Sequence, residues 1–222
     1  MEASALLAEY RRRADDNAEP PHTSDASVLA MLAEAEREAC LRNHAIFDRD
    51  TAEIVTIAVA ADAASVPLDP RILRIDHATF TPAAGRAAPL ELAGIDAIRA
   101  RQDGGTYLSA RPSLAAHASR TTLVLHPAPT AAGTLHLDVY RLPLSDIEDG
   151  GDEPEIGIEL HDGLVDWVLY RVYSTKDSEL EDPARAQTAL RDFTDRFGER
   201  RSADAQRRHR ERRRVTTRPV YP

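Results

Sequence analysis

The sequence predicts an α+β fold: a helical bundle formed by the N- and C-terminal helices, with an inserted antiparallel β portion and an extended C-terminal arm. Apolar residues recur at helical spacing near both ends of the chain, whereas from residue 51 apolar and polar positions alternate as they do in strands. Helices that flank a β portion in this way are expected to pack on one another. The predicted parts are residues 1–50 (N-terminal helices of the bundle), 51–145 (β-rich insertion), 146–198 (acidic loop and C-terminal helices) and 199–222 (basic arm).

Two helices are predicted in residues 1–50. Glu19-Pro20-Pro21 ends the first helix, and Ser24 or Asp25 is the N-cap of the second. The apolar face of the first helix consists of Leu6, Leu7, Tyr10 and Ala14. The stripe of the second consists of Val28, Leu32, Ala35, Ala39 and Ile46, and its opposite face carries Glu34, Arg37, Glu38 and Arg42.

The β-rich insertion begins with an alternating segment, residues 54–59, which predicts a strand. The following segments are predicted as a turn (62–65), an extended stretch with two prolines (66–70), a strand (72–80), a weak strand (89–92) and a short helix (95–101). The clearest hairpin joins residues 121–126 to residues 134–140 through the turn 127–133, which contains Pro and Gly.

Two further helices are predicted after the acidic loop. Leu160, Leu164, Val168 and Val172 line one face of the first, and Trp167 lies beside them. The second has Asp182 as its N-cap, Pro183 at its first position and Gly198 as its stop. Its apolar face consists of Ala186, Ala189, Leu190, Phe193 and Phe197.

The composition predicts a chain that gains stability from a partner. Alanine accounts for 37 of the 222 residues, whereas Leu, Ile, Val and Phe together account for only 47, close to the limit below which chains tend not to fold. An alanine-rich core buries less apolar area per residue, so we expect association, most simply with other copies of the chain.

The same sequence argues against a secreted or membrane protein. The single Cys40 excludes an intrachain disulfide and favours a reducing compartment. The apolar run at residues 54–61 is too short to span a bilayer. The N-terminal segment places its acidic residue before its basic cluster, which is the reverse of a secretory signal. We therefore expect the protein to stay in the cytoplasm in which it is made.

Charge is distributed unevenly along the chain. Residues 199–222 contain nine arginines and three acidic residues, while the preceding residues have a net charge of −15. Between Arg141 and Arg171 there is no Lys or Arg, but there are nine acidic residues. The sequence therefore describes an acidic body with a basic arm.

No motif establishes an enzyme, a cofactor or a metal site. His161-Asp162 is similar to the metal-binding pair of certain phosphohydrolases, but about one such pair is expected by chance. His126 and His136, on the two strands of the predicted hairpin, could approach each other, but a third ligand is not evident and solvated histidines are the simpler interpretation. Cys40 is interpreted as a small core residue.

The remaining candidates favour structural roles. Gly104-Gly105 and Gly150-Gly151 lack the strand and helix that flank a phosphate loop and are interpreted as loop hinges. Aromatic residues at helical spacing are more often packing or subunit contacts than a binding cleft. This interpretation applies to Trp167, Tyr170 and Tyr173.

Three stretches together resemble the head-to-tail adaptor, or connector, proteins of tailed bacteriophages. They are the segment SVPLDPRILRI at residues 65–75, the pair LVLHPAP (123–129) and LDVYRLP (137–143), and PEIGIELHDGLVDWVLYRVY at residues 154–173. The resemblance covers most of residues 24–198 and depends on the three stretches occurring in order.

The resemblance implies a structural, non-enzymatic virion protein at the head-tail junction, made in the cytoplasm of a bacterial host. Its partners would be the portal protein, a tail or nozzle protein and further copies in a ring, commonly a dodecamer. DNA would pass through the channel without specific binding, and no membrane or cofactor is implied. The helices of such adaptors pack side by side around the ring, and the C-terminal segment extends towards the portal.

The basic arm has three interpretations: a solvated end, a DNA-contacting arm, or an arm that becomes ordered on a protein partner. Its charge and lack of an apolar stripe predict that it does not fold alone. We predict that it binds an acidic protein surface, either the portal or residues 146–159 of a neighbouring subunit. The predicted partner-binding residues are Arg207, Arg208, Arg210, Arg212, Arg213, Arg214, Val215, Val220 and Tyr221. The alternative function is a small nucleic-acid-binding regulator that uses this arm, although the acidic body would repel DNA.

Overall fold

A computed structural model describes residues 1–103, 111–176 and 178–200, and these residues have the predicted α+β architecture. The helices are α1 (Ala3–Ala14), α2 (Asp25–Asn43), α3 (Ala52–Val55), α4 (Ile95–Asp103), α5 (His161–Tyr173) and α6 (Pro183–Phe197), with a 3-10 turn (Ile158–Leu160) before α5. The strands are β1 (Ile46–Asp48), β2 (Thr56–Val59), β3 (Ser65–Pro67), β4 (Ile72–Pro82), β5 (Ala88–Pro89), β6 (Glu91–Leu92), β7 (Leu114–Ser119), β8 (Thr122–His126) and β9 (Gly133–Arg141).

The described residues form two compact units. The helical unit comprises Met1–Ile46 and residues 141–200, and the β unit comprises Phe47–Tyr140. In the helical unit, α5 packs against α1, α2 and α6, so helices from both ends of the chain form one bundle, as predicted. Its buried side chains include Leu6, Tyr10, Val28, Leu32, Leu164, Val168, Phe193 and Phe197.

The predicted ends of the long helices are mostly confirmed. The Ser24 side chain accepts the Ser27 N–H at the start of α2, and Asp182 accepts two N–H groups at the start of α6. Gly198 ends α6 with a φ of +83°, a backbone conformation that favours glycine. Ile46 is an exception, because α2 ends at a left-handed His44 and Ile46 lies in β1.

Gly163 permits the close approach of α5 and α6. This glycine is buried in the first turn of α5, and a Cβ atom there would lie 2.8 Å from Cε2 of Phe197 and would also meet the Arg196 side chain. The missing side chain therefore allows the end of α6 to pack on the start of α5.

In the β unit, two sheets share a hydrophobic core. One sheet has the order β1-β9-β4-β5, with β2 also paired to β9, and the other has the order β3-β8-β7-β6. Phe80 and Leu137 from the first sheet and Leu123 and Leu125 from the second belong to the same buried cluster. Helix α4 covers the opposite face of β7, where Ile98 packs with Leu114 and Ala116.

The predicted hairpin between residues 121–126 and 134–140 is wrong. Both strands exist, but β8 pairs with β3 and β7, whereas β9 pairs with β2 and lies beside β1 and β4. The connection at 127–132 therefore carries the chain from one sheet to the other. The two strands contribute to the common core from opposite sheets, and this long-range packing overrides the local turn signal.

Three other details of the β portion differ from the prediction. Ile54 and Val55 belong to the short helix α3, so the strand begins at Thr56. The weak strand at 89–92 is two short strands, β5 and β6, in different sheets. Strand β7 was not predicted, because Leu114, Ala115 and Ala116 are all buried and show no alternation.

Candidate partner-binding surfaces

The predicted partner-binding residues of the arm lie outside the described residues. They are Arg207, Arg208, Arg210, Arg212, Arg213, Arg214, Val215, Val220 and Tyr221. The structure describes three surfaces of the helical unit that bear on partner binding: the beginning of the arm as far as Arg200, the acidic loop and a cleft along α6.

The beginning of the arm is held against α2 by Arg42. This guanidinium donates 3.0 Å hydrogen bonds to the Thr194 hydroxyl and to the carbonyl of Gly198, where α6 ends. It also donates to Glu38 at 2.9 Å, and the same carboxylate lies 3.8 Å from Arg200. The side chains of α2 therefore fix the point at which the arm leaves the helical unit.

Arg42 also packs against aromatic rings. Its guanidinium carbon lies 5.6 Å from the ring centroid of Trp167 and 5.0 Å from that of Phe193. Arg42 and Glu38 are buried, although the sequence placed them on the polar face of α2. Their four-residue spacing was the signal of an ion pair, but it did not show that the pair would be covered by α5 and α6.

The acidic loop, residues 146–159, is bound closely to the rest of the helical unit. The buried carboxylate of Glu36 on α2 accepts the N–H groups of Glu155 and Ile156 at 2.5 and 3.2 Å. The carbonyls of Gly150 and Asp152 in turn accept 2.8 Å hydrogen bonds from the first turn of α1. The loop therefore connects α1 to α2.

Five of the seven carboxylates of this loop already have partners in the same chain. Asp146 pairs with Arg37, Glu153 with the N-terminal ammonium, and Glu155 with Arg141. Asp149 and Asp152 accept backbone N–H groups within the loop. These contacts reduce the capacity of the loop to bind arginines of another subunit.

Burial changes the acid-base properties of two side chains beneath the loop. Burial, followed by the smaller effect of the negative charges of Glu155 and Asp146, raises the pKa of Glu36 to about 7, although the two N–H donors lower it. Burial, followed by the nearby Glu36 and Glu155, raises the pKa of Cys40 to about 12. The Cys40 thiol is therefore protonated at neutral pH, which fits its interpretation as a core residue.

A cleft runs along α6 between α1 and α5. One part, of about 410 Å³, is lined mainly by Leu169, Tyr173, Ala184 and Ala189, together with Arg185 and Thr188. The adjoining part, of about 650 Å³, is lined by Glu9, Asp162, Asp166, Asp195 and Arg196. Arg13 and Asp192 line both parts, so the two parts lie next to each other along α6.

The histidine candidates do not come together. His161 is buried and its Nε2 lies 3.0 Å from the Ile156 carbonyl, whereas Asp162 is exposed. His126 and His136 lie on strands of different sheets, and His136 contacts Thr56. Among residues 1–103, 111–176 and 178–200, no group of three or more His, Cys, Asp or Glu side chains could hold a metal ion.

The aromatic candidates lie in the helical bundle, and two of the glycine candidates lie in the acidic loop. Trp167 and Tyr173 are buried, and the Trp167 ring lies 5.2 Å from the ring of Tyr170, so Trp167 and Tyr170 pack together within the bundle. Tyr173 also lines the cleft along α6. Gly150 and Gly151 form part of the acidic loop and its contact with α1. Gly104 and Gly105 lie outside the described residues.

The polar contacts of the helical unit join helices, the acidic loop and the beginning of the arm. The family model for the SU10 adaptor protein matches residues 1–219, and the chain belongs to this family of phage head-tail adaptors. This membership confirms the resemblance predicted from the sequence and makes the chain a phage adaptor protein and a virion component.

The search of curated proteins finds no match to the chain. No helix in the described parts of the chain has the length and apolar character needed to cross a membrane.

Proposed function

We propose that the chain assembles into a ring, with twelve copies as the expected number, that joins the portal protein to the tail or nozzle protein and encloses part of the DNA channel. The family match over residues 1–219 carries this proposal, because it extends over both units and most of the arm. The alanine-rich composition supports it, since a chain with little large apolar surface gains from association. No enzymatic step is part of the proposed function.

The arm is proposed to bind protein in preference to DNA. Its six arginines between residues 207 and 214 can pair bidentately with carboxylates, and Val215, Val220 and Tyr221 supply an apolar anchor. An exposed ion pair contributes only about 0.2 to 1 kcal/mol, but contacts repeated around a ring act together. The hydrogen bond from Arg42 of α2 to the Gly198 carbonyl supports this role, because it fixes the point at which the arm leaves the helical unit.

DNA is proposed to pass through the ring without specific binding. The residues before the arm have a net charge of −15, and an acidic channel wall does not retain phosphates by counterion release. A ring whose channel is lined mainly by arginine would contradict this part of the proposal. So would tight, salt-sensitive DNA binding by a variant in which the arm arginines are replaced.

The test is the mass of the full chain in solution, measured with and without the cognate portal protein. We expect a ring of defined mass in the presence of the portal. The variant with the six arginines of residues 207–214 replaced by glutamine is expected to lose portal binding or ring assembly. Its difference from the unmodified chain should be largest at low salt, where ion pairs are screened least. The matched control replaces Arg86, Arg99 and Arg120 of the β unit, which are exposed.

Two results would contradict the proposal. Failure of the unmodified chain to form a ring or to bind the portal would exclude the adaptor role as stated. Unchanged assembly of the arginine variant, together with loss of DNA retention, would assign the arm to nucleic-acid binding.

A further inference from the structure

The cleft along α6 has two chemically different parts. In the apolar part, Leu169 and Tyr173 are buried at its base, and Ala184 and Thr188 are exposed at its edge. The acidic part has five carboxylates against the two guanidinium groups of Arg13 and Arg196. A ligand that fits both parts must combine positive charge with an apolar end.

The carboxylates of the acidic part differ in their availability. Asp166 is buried and pairs with Arg13 at 2.6 Å, and Glu9 pairs with Arg12 at 2.5 Å. Asp162, Asp192 and Asp195 are exposed, and within the described residues they form no ion pair. This distinguishes the cleft from the acidic loop, most of whose carboxylates have partners.

The C-terminal segment of the chain has the complementary chemistry in the corresponding order. Its arginines at residues 207–214 precede Val215, Val220 and Tyr221. The acidic part of the cleft includes Asp195, near the end of α6, and the apolar part includes Ala184, near its start, about 16 Å away along the helix. Seven residues from Arg214 to Tyr221 can span about 23 Å when extended, which covers this distance.

The beginning of the arm, which follows the end of α6, lies against α2. Gly198 and Arg200 are held by Arg42 and Glu38 of α2. None of the residues that line the cleft belongs to α2, because the cleft is bounded by α1 and α5. The arm thus starts beside α2, a helix that does not border the cleft, and it is the self-assembly in the proposed function that assigns the segment to a neighbouring copy.

We propose that the cleft between α1, α5 and α6 binds the C-terminal segment, residues 207–221, of a neighbouring copy of the chain, with arginines in the acidic part and Val220 and Tyr221 in the apolar part. This inference rests on the self-assembly in the proposed function and identifies the surface that receives the arm. It replaces the acidic loop as the expected partner of the arm on a neighbouring subunit.

The first test uses a fluorescent peptide of residues 205–222 and the full chain. We expect binding that weakens about tenfold in the variant Asp192→Asn with Asp195→Asn, because two exposed ion pairs are lost. The matched control is Asp50→Asn with Asp96→Asn, which changes two exposed carboxylates of the β unit. Equal peptide affinity of the cleft variant and the control would overturn the inference.

The second test distinguishes neighbouring copies from the same chain. Full-length Thr188→Cys and Val220→Cys variants are mixed, assembled with the portal and treated with a short bis-maleimide; the native Cys40 is buried and should not react. We expect a cross-link between copies for Thr188→Cys and none for the neighbouring exposed position Gln187→Cys.

The outcomes separate this inference from the proposed function. A cross-link of Val220→Cys to the portal would overturn the inference. So would a cross-link within one chain when Thr188→Cys and Val220→Cys are combined in the same chain. In both cases, formation of the ring would still uphold the adaptor role. A ring without the Thr188 cross-link would do the same. Failure of the unmodified chain to form any ring with the portal would count against the proposed function itself.

Discussion

Replacement of Glu36 by glutamine should change how the stability of the protein depends on pH. The Glu36 carboxylate is 1% exposed, and burial raises its pKa from 4.5 to about 7. Between these two values, the folded protein binds more protons than the unfolded chain. The stabilising contribution is therefore fully present below pH 4.5 and is lost as the pH rises through 7.

The size of this effect follows from the pKa. A rise from 4.5 to about 7 corresponds to at most about 3 kcal/mol, since one pKa unit is 1.36 kcal/mol. Glutamine cannot ionise, but its amide oxygen can accept the N–H groups of Glu155 and Ile156 that Glu36 accepts. We expect the free energy of unfolding of Glu36→Gln, relative to the unmodified protein, to be about 1 to 3 kcal/mol higher at pH 8 than at pH 5.

The measurement is urea unfolding of both proteins at pH 5, 6, 7 and 8. Comparison across pH removes any constant cost of placing an amide in this buried position. Glu53→Gln, an exposed glutamate of the β unit, is the control and should change the pH profile little. Parallel pH profiles for Glu36→Gln and the unmodified protein would refute the assignment of the titration to Glu36.

Two further substitutions test the packing of the helical unit. Gly163→Ala places a Cβ atom 2.8 Å from Phe197 and should lower the free energy of unfolding by about 1 to 3 kcal/mol. The control Gly151→Ala, on the acidic loop, should change it little, because its Cβ atom would meet only an Asp149 oxygen at 3.8 Å, an ordinary van der Waals distance. Equal stabilities of the two variants in urea unfolding would show that α5 and α6 are not in close contact. Arg42→Lys retains the charge but loses the guanidinium hydrogen bonds to Thr194 and Gly198, and it should lower the free energy of unfolding by about 1 to 3 kcal/mol. Faster proteolysis after Gly198 should accompany this loss. A change in the free energy of unfolding below about 0.5 kcal/mol would contradict the role of Arg42.

The sequence predicted the helical unit more accurately than the β unit, for a physical reason. Helix caps are local signals, so Ser24, Asp182 and Gly198 could be identified without knowledge of the fold. Strand pairing depends on distant residues, and the turn signal at 127–133 could not show that β8 and β9 belong to different sheets. Strand β7 lacked alternation because both of its faces are buried.

The candidate surfaces were only partly accessible to sequence reasoning. Charge asymmetry identified a basic arm and an acidic region, and the family resemblance is confirmed. The sequence pattern did not identify Glu36, Glu38 and Arg42 as buried groups, because their burial depends on how α2 packs against the other end of the chain. The cleft could not be predicted either, since its carboxylates come from α1, α5 and α6.

The arrangement of β1 and β9 bears on how the two ends of the chain meet during folding. The 94 residues of the β unit separate the halves of the bundle, and closing a flexible loop of that length costs about 4 kcal/mol in entropy. The segments that lead into and out of the unit, β1 and β9, are hydrogen-bonded neighbours, about 5 Å apart. Once the β unit has folded, this entropy has already been lost, and the two halves of the bundle start from adjacent positions.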